Sequence, residues 1–582
     1  MTRLACLCVV CLATILNSYA RAAETAAEEK TQEKPWMKAK PDVVRAWQDD
    51  RFGMFLCWGP VSLTGEEIGW SRAGVRRDGR RPGTITPTEV YDNLYKRWTP
   101  DRFDAKAWVQ VAKDAGCRYM IFLVKHHDGF CLYDTKLTDH RITGPESAWK
   151  HDVMKDVADA CHEAGLKLII YYSQPDWHHP DYFTENHPRY IEYLHGQIRE
   201  LLTGYGRIDG LWFDLGGKPE HWDTEELFKM ARELQPWLII NNRCGAAGDF
   251  DTPEQSLGRF QPGRPWESCV TLGTQWAWKP NDRLKSLGEC IDLLVTCAGR
   301  GGNLALNTNP MPDGRIEPRQ AERFRQIGQW LQKYGDSIYG TRGGPFLTAQ
   351  WGLRFGTTNQ GINAASIWGV STHKDNKIFL HILDAKLDRL TLPPIDRKIV
   401  THSVMTGGTA RVVQTDQGIE ISVPAEHRQE LDTIVVLELD GPAAGLEPVR
   451  QRSGSLTFGK KATASNVFQK MELYGPEKAF DDDPTTRWGC DYGTHACWLA
   501  VDLGEPNTFD RAVLSEPYGR VRKFALEAQR DDVWETFHEG TTIGENLSVE
   551  FPPTTARHVR LNLLETTEGP SIWEFQLFAP KK

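Results

Sequence analysis

The 582-residue chain carries 69 basic and 78 acidic side chains, a net charge of −9, with 21 tryptophans and 13 cysteines. That length exceeds one domain, and two to four are expected. An acidic balance with no basic tract argues against nucleic acid or an anionic membrane surface as partner, and beyond residue 22 no C-x-x-C or zinc-type cluster is present.

Met1-Thr2-Arg3 leads into an apolar stretch from Leu4 to Leu16, and Ala20-Arg21-Ala22 offers a small-x-small cleavage site. Residues 1–22 therefore read as a secretory signal peptide. The stretch is short for a membrane span and no other segment has the length, so a secreted or periplasmic protein is expected, with no membrane partner. Residues 23–44 are polar and charged and read as a linker.

From 45 to 342 short apolar runs alternate with helical patterns. Phe52 to Trp58, Tyr119 to Val124, Leu166 to Tyr172, Gly210 to Phe213 and Trp237 to Ile240 read as strands. Between them, Val153, Val157 and Ala160/Cys161 repeat at helical spacing, and Gly116 and Gly165 stand where helices should end. This order implies a parallel sheet, and its length fits a (β/α)₈-like barrel. A helical stretch from Glu317 to Gly340 closes the pattern. Residues 343–445 then read as strands alone, among them Ile378 to Leu383, Ile399 to Met405 and Thr433 to Leu439, which implies a β-sandwich. A third block, 456–580, is again rich in strands and turns. In it Cys490 and Cys497 are close enough for one local disulfide in an exported chain.

The chemistry lies at the strand ends. Gly210 to Phe213 is a short apolar run ending in Asp214, and the carboxyl ends of barrel strands form the active-site face. Trp212 lies two residues earlier, on the same side of the strand. A helix-capping role would be the bland reading of Asp214 standing alone. Lys125-His126-His127-Asp128-Gly129-Phe130 follows the second strand and offers imidazoles for hydroxyl binding. The chain has no H-x-H, so a metal there is disfavoured. Trp266-Glu267-Ser268-Cys269 supplies a second aromatic–acid pair, and a glycosidase needs two carboxylates.

These segments resemble the α-L-fucosidases of glycoside hydrolase family 29 over about residues 45–445. The matching pieces are Arg51-Phe52-Gly53-Met54-Phe55, the Lys125–Phe130 segment, Tyr171-Tyr172-Ser173, Trp212-Phe213-Asp214, Asn241-Asn242-Arg243, Trp266-Glu267 and Gly301-Gly302-Asn303-Leu304. The resemblance implies a retaining exo-glycosidase acting on a fucosylated glycan or oligosaccharide, with no catalytic cofactor. It makes Asp214 the nucleophile and Glu267 the acid/base. His126, His127, Tyr171, Trp212 and Arg243 become fucose-pocket residues, and Glu67, in preference to Glu66, becomes another pocket carboxylate. Where the family has F-I-H-W-G, this chain has Phe55-Leu56-Cys57-Trp58-Gly59, so Cys57 and Trp58 join the expected pocket and Cys57 leaves the sugar open. Two alternatives follow: a carbohydrate-binding protein on an idle barrel, and a glycosidase for a related sugar such as an α-L-galactoside.

The last block resembles discoidin-type modules, including family 32 carbohydrate-binding modules, through Lys478-Ala479-Phe480-Asp481, Thr486-Arg487-Trp488, Val501-Asp502-Leu503-Gly504 and Trp573-Glu574. The expected fold there is a discoidin-like jelly-roll β-sandwich. The resemblance implies one structural Ca²⁺, with Asp481, Asp483 and Glu574 as candidate oxygen ligands.

Overall fold

The computed structural model describes residues 34–258, 260–261, 263–347, 368–450, 453–483, 486–544 and 547–580. The expected signal peptide lies outside these residues.

Strands β1 (Phe52–Leu56), β2 (Tyr119–Lys125), β3 (Lys167–Ser173), β4 (Gly210–Asp214), β5 (Ile239–Ile240), β6 (Glu267–Thr271) and β7 (Asn303–Thr308) form one parallel sheet, in the order β5-β4-β3-β2-β1-β7-β6. Nearly all their residues are buried, as befits strands covered on both faces. The two edges, β5 and β6, are joined by an irregular segment. Phe250 bridges Asn241 beside β5, while Asp251 and Glu254 bridge Trp266 and Cys269 along β6. Residues 250–254 thus take the place of an eighth strand, held by single bridges rather than a ladder.

Helices fill the outside where capping and apolar stripes predict them. In Val153–Ala164 the Asp152 side chain accepts the Lys155 N–H, Gly165 ends the helix at φ 66, and Val153, Met154, Val157, Ala158, Ala160 and Cys161 face the sheet. Inside the barrel, glycine can matter through its lack of bulk. A Cβ on Gly53 would stand 2.1 Å from the ring of Tyr119, its partner in β2.

The expected linker is a correction. Pro41–Asp50 is a helix whose Trp47 is buried, so the barrel unit starts before residue 45. Ahead of it, Arg232 bonds the Trp36 carbonyl and the Ala39 N–H donates to Asp249, so residues 34–44 are packed on the barrel.

Beyond helix Pro318–Tyr334 a five-stranded antiparallel sheet and a three-stranded one enclose a separate core of Ile378, Leu380, Ile419, Val435 and Leu437. The third unit, from Lys461 to Phe578, is an antiparallel sheet built on two long strands, Cys497–Ser515 and Leu547–Thr566, around Trp488, Leu499, Phe524 and Phe575. In it the Cys490 and Cys497 sulfurs stand 3.4 Å apart as free thiols, so the expected disulfide is not formed in the structure. No helix among the described residues is long and apolar enough to cross a membrane.

Candidate active site

A pocket opens at the carboxyl ends of the strands, lined by Phe55, Cys57, Trp70, His126, Tyr171, Trp212, Asp214, Leu215, Arg243, Glu254, Cys269 and Trp276. Asp214 ends β4, held in register by the pairing Ser173↔Asp214. Its carboxylate accepts hydrogen bonds from the Tyr171 hydroxyl at 2.7 Å, from Arg243 Nη1 at 2.7 Å and from the Leu215 N–H at 2.6 Å. Leu215 reaches back this way because it sits in the left-handed region, at φ 65, a conformation that costs a non-glycine residue about 1–3 kcal/mol. Burial pushes the Asp214 pKa up, but Arg243 and Tyr171 outweigh it and hold the carboxyl below its ordinary 3.8. The group is therefore an anion, buried and directed into the pocket.

Arg243 follows β5 on a fixed mount. Nε and Nη2 donate to Thr252, while Nη1 donates both to Asp214 and, at 2.9 Å, to Glu254. Glu254 lies on the irregular segment that closes the barrel, and its other oxygen accepts the Trp276 indole N–H at 3.2 Å. Two carboxylates thus share one guanidinium nitrogen.

The two histidines are neutral. Burial, with added repulsion from Arg76, brings His126 down to about 3, and burial takes His127 well below 6.5 as well. The Ser173 hydroxyl gives its proton to the Pro175 carbonyl, so His127 Nδ1, at 2.6 Å from that hydroxyl, must be the donor. His127 Nε2 is then a lone pair, buried with no hydrogen bond, 3.5 Å from Asp214 Oδ2. It is placed to accept a proton from a ligand hydroxyl. His126, His127 and Asp214 could also face one ion, their ligand atoms lying within 4.8 Å of one another. The Arg243 cation already on Asp214 opposes a metal ion there.

Of the residues expected from sequence, His126, Tyr171, Trp212, Asp214, Arg243 and Cys57 line the pocket together, with His127 against Asp214. Three expectations need correction. Glu267 begins β6 instead of ending it, fully buried at the opposite end of the barrel strands, where it accepts the Tyr119 hydroxyl and the Trp212 indole N–H. Trp212 stands between Glu267 and the pocket, and the residue of β6 that reaches the pocket is Cys269. Glu67 is turned to backbone, accepting from Ile68, Trp276 and Ala277, and so holds the Trp276 loop without lining the pocket. Trp58 packs into the core against Trp98, Phe103 and Trp108, its indole N–H on the Met311 carbonyl. Glu254, Trp70 and Trp276 were not anticipated.

In the third unit the carboxylate of Glu574 is buried, with the Asp483 backbone N–H beside it and no side-chain partner among the described residues. Burial, then the neighbouring Asp482, Asp481 and Asp483, push its pKa well up. Asp481 accepts from Thr486 and the Asp483 N–H, and Asp482 from Ser453 and Gln576. A buried carboxylate beside three aspartates has the hard oxygen donors a Ca²⁺ ion takes, though among the described residues their oxygens are not gathered closely enough to face one ion.

The family profile described as Alpha-L-fucosidase matches residues 19–336, and that described as F5/8 type C domain matches 461–575. Alpha-L-fucosidase 1 of Arabidopsis thaliana is 28% identical over 318 residues, which cover 49% of this chain and 58% of that protein. The structure of alpha-L-fucosidase isoenzyme 1 from Paenibacillus thiaminolyticus superposes with a TM-score of 0.58 at 32% identity, over 68% of this chain and 99% of that one. A fucosidase structure from Vibrio sp. strain EJY3 shares the fold over 94% of this chain and 99% of its own, with a TM-score of 0.64 at 20% identity. With more than half of its length matched by the family profile, the chain belongs to the α-L-fucosidase family and carries an F5/8 type C, discoidin-like domain behind its barrel.

Proposed function

We propose that the chain is a retaining exo-α-L-fucosidase acting on fucosylated glycans, with Asp214 as nucleophile and Glu254 as acid/base. The observation that carries this reading is the shared guanidinium. Arg243 Nη1 lies 2.7 Å from one carboxylate and 2.9 Å from the other, so their nearest oxygens can be no farther apart than those two bonds laid end to end. Retaining glycosidases need about 5–5.5 Å between the pair, whereas inverting ones need about 6.5–9.5 Å to admit a water.

Asp214, kept ionised, attacks the anomeric carbon. Glu254 gives its proton to the leaving oxygen, then takes one from the water that frees the sugar. His127 Nε2 accepts a sugar hydroxyl. Phe55 stands 5.5–5.7 Å from the rings of Tyr171, Trp212 and Trp276, an apolar wall suited to a deoxy sugar's methyl and C–H face. Glu267, buried beneath Trp212, does not line the pocket.

The test is turnover of a panel of aryl glycosides. Release from the α-L-fucoside with retained anomeric configuration is expected. An inverted first product would rule out double displacement, and turnover of an α-L-galactoside alone would move the assignment to that sugar. The apolar stretch Leu4–Leu16 supports export. In the discoidin-like module, Glu574 with Asp481 and Asp483 is read as a structural Ca²⁺ site that takes no part in the chemistry.

A further inference from the structure

The mouth of the pocket carries a charge pattern that hydrolysis of a neutral fucoside does not require. Residues 72–81 hold five arginines against one aspartate, a local basic cluster that corrects the expectation of no basic tract in a chain whose net charge is −9. Arg72 is committed to Asp92 and Arg80 to Asp78. Arg76, Arg77 and Arg81 form no ion pair among the described residues. Asp78 is itself taken up by the Trp177 indole and the Tyr182 hydroxyl, and Glu254 by Arg243 and Trp276.

This stretch sits at the opening. Trp70 lines the pocket yet is 38% exposed. Arg80 Nη2 donates to the carbonyl of Leu215, another lining residue. Arg76 is wedged between Trp70 and Trp177, its guanidinium carbon 4.6 and 3.9 Å from the ring centres. It is only 6% exposed; one Nη donates to the Trp70 carbonyl, and Nε is buried with no acceptor. Asp78 acts on it only from beyond ion-pair distance and is already engaged by Arg80, Trp177 and Tyr182, so this desolvated cation gains from an anion brought to it. Arg77 gives its donors only to the carbonyls of His179 and Pro180, and Arg77 and Arg81 are exposed. The field reaches the site, since Arg76 and Arg80 both add to the lowering of the His127 pKa that burial begins.

We propose that this rim selects an anionic leaving group: a glycan bearing a sulfate ester or a carboxylate close to the terminal fucosyl residue. The guanidinium fork suits either anion, and the Trp70 face beside it offers a platform for the ring that carries the charge. The inference takes the fucosidase reading for the reaction and rests on the arginines for the leaving group.

The experiment compares kcat/KM on three matched fucosyl disaccharides whose reducing sugar is neutral, sulfated or a uronate. At low ionic strength an anionic substrate should be favoured by about tenfold or more, the scale of one charge-assisted hydrogen bond. The preference should shrink at about 0.5 M salt. The sulfate and uronate arms tell which anion is served. In the double variant R77Q/R81Q, both at exposed positions, the anionic-to-neutral ratio should fall several-fold, with Arg76 and Arg80 keeping the remainder; an unchanged ratio removes these two arginines from the rim. Because it is a ratio within one preparation, lost active protein does not affect it. Cleavage of all three with equal kcat/KM, or a preference for the neutral one, overturns the rim and leaves the fucosidase standing. If no fucoside is cleaved, the reaction assignment fails instead. Titration with the sulfated sugar lacking fucose then decides the rim, and an affinity no higher than that of the unsulfated sugar overturns it.

Discussion

Glu254→Ala and Glu267→Gln together separate the two carboxylates that could serve as acid/base. General acid–base catalysis contributes about 10²–10⁴-fold, so Glu254→Ala should lose that much on a glycan whose leaving oxygen needs a proton. An activated aryl fucoside leaves without help, so its fucosyl-enzyme should form and then stall, giving a burst. Azide needs no base; it should restore turnover and yield the fucosyl azide of retained configuration. Folding should change little. The Glu254 side chain is 42% exposed, and Arg243 keeps Asp214 and Thr252, so the lost ion pair is worth about 0–1 kcal/mol. Glu267→Gln behaves differently. The amide oxygen can keep the Trp212 N–H and its NH₂ can donate to Tyr119, whose hydroxyl turns to accept. The cost is about 1 kcal/mol of stability and a change in kcat within several-fold. Rates on both substrates, melting temperatures and product configuration check each point. A thousandfold loss in Glu267→Gln beside near-normal Glu254→Ala would refute the assignment.

Asp214→Ala should abolish turnover while folding survives, and azide should then give the inverted fucosyl azide; full activity would remove Asp214 from the mechanism. Burial raises Glu267 from 4.5 to about 7, so between those values the folded chain keeps a proton that the unfolded chain has released. Its contribution therefore weakens the fold as pH rises through that window, and the melting-temperature difference between Glu267→Gln and wild type should shift in the variant's favour there. Cys57→His should raise kcat/KM on fucosides by about two- to tenfold if the ring regains a hydroxyl contact, a gain that overpacking by about 1–3 kcal/mol could cancel. Equal effects on every sugar would make Cys57 a packing residue only. Chelation should lower the melting temperature of the C-terminal unit and leave kcat unchanged on a small fucoside, and Glu574→Gln should remove the chelator's effect. Loss of activity restored by added metal would contradict a metal-free site.

Asp214 was legible because an apolar run precedes it, so the acid falls at the carboxyl end of its strand. In Trp266-Glu267-Ser268-Cys269-Val270 the strand residues follow the acid, which puts Glu267 at the wrong end. That order was a readable signal. Trp58 was misplaced because successive residues of an extended chain point to opposite sides, so Cys57 in the pocket sends Trp58 into the core. Glu254 gave no such cue. Its segment is held by isolated bridges, and a strand without a ladder needs no alternating or continuous apolar pattern. Asn241-Asn242-Arg243 points to Arg243, but its second partner depends on where that irregular segment runs. The barrel, the two β-rich units and their order followed from periodicity and turn residues. The docking of residues 34–44 did not, because it rests on Arg232 and Asp249, far away in sequence.

Gly53 gives the pocket a depth adjustment at the far end of the barrel. The space it leaves is filled by the Tyr119 ring, whose hydroxyl bonds Glu267, which in turn bonds the indole of Trp212. The same indole lines the pocket. A single methyl at Gly53 would act as a shim, passed upward through three contacts until the surface beneath the ligand tilts. Sugar preference in this barrel can therefore drift through substitutions that never approach the sugar.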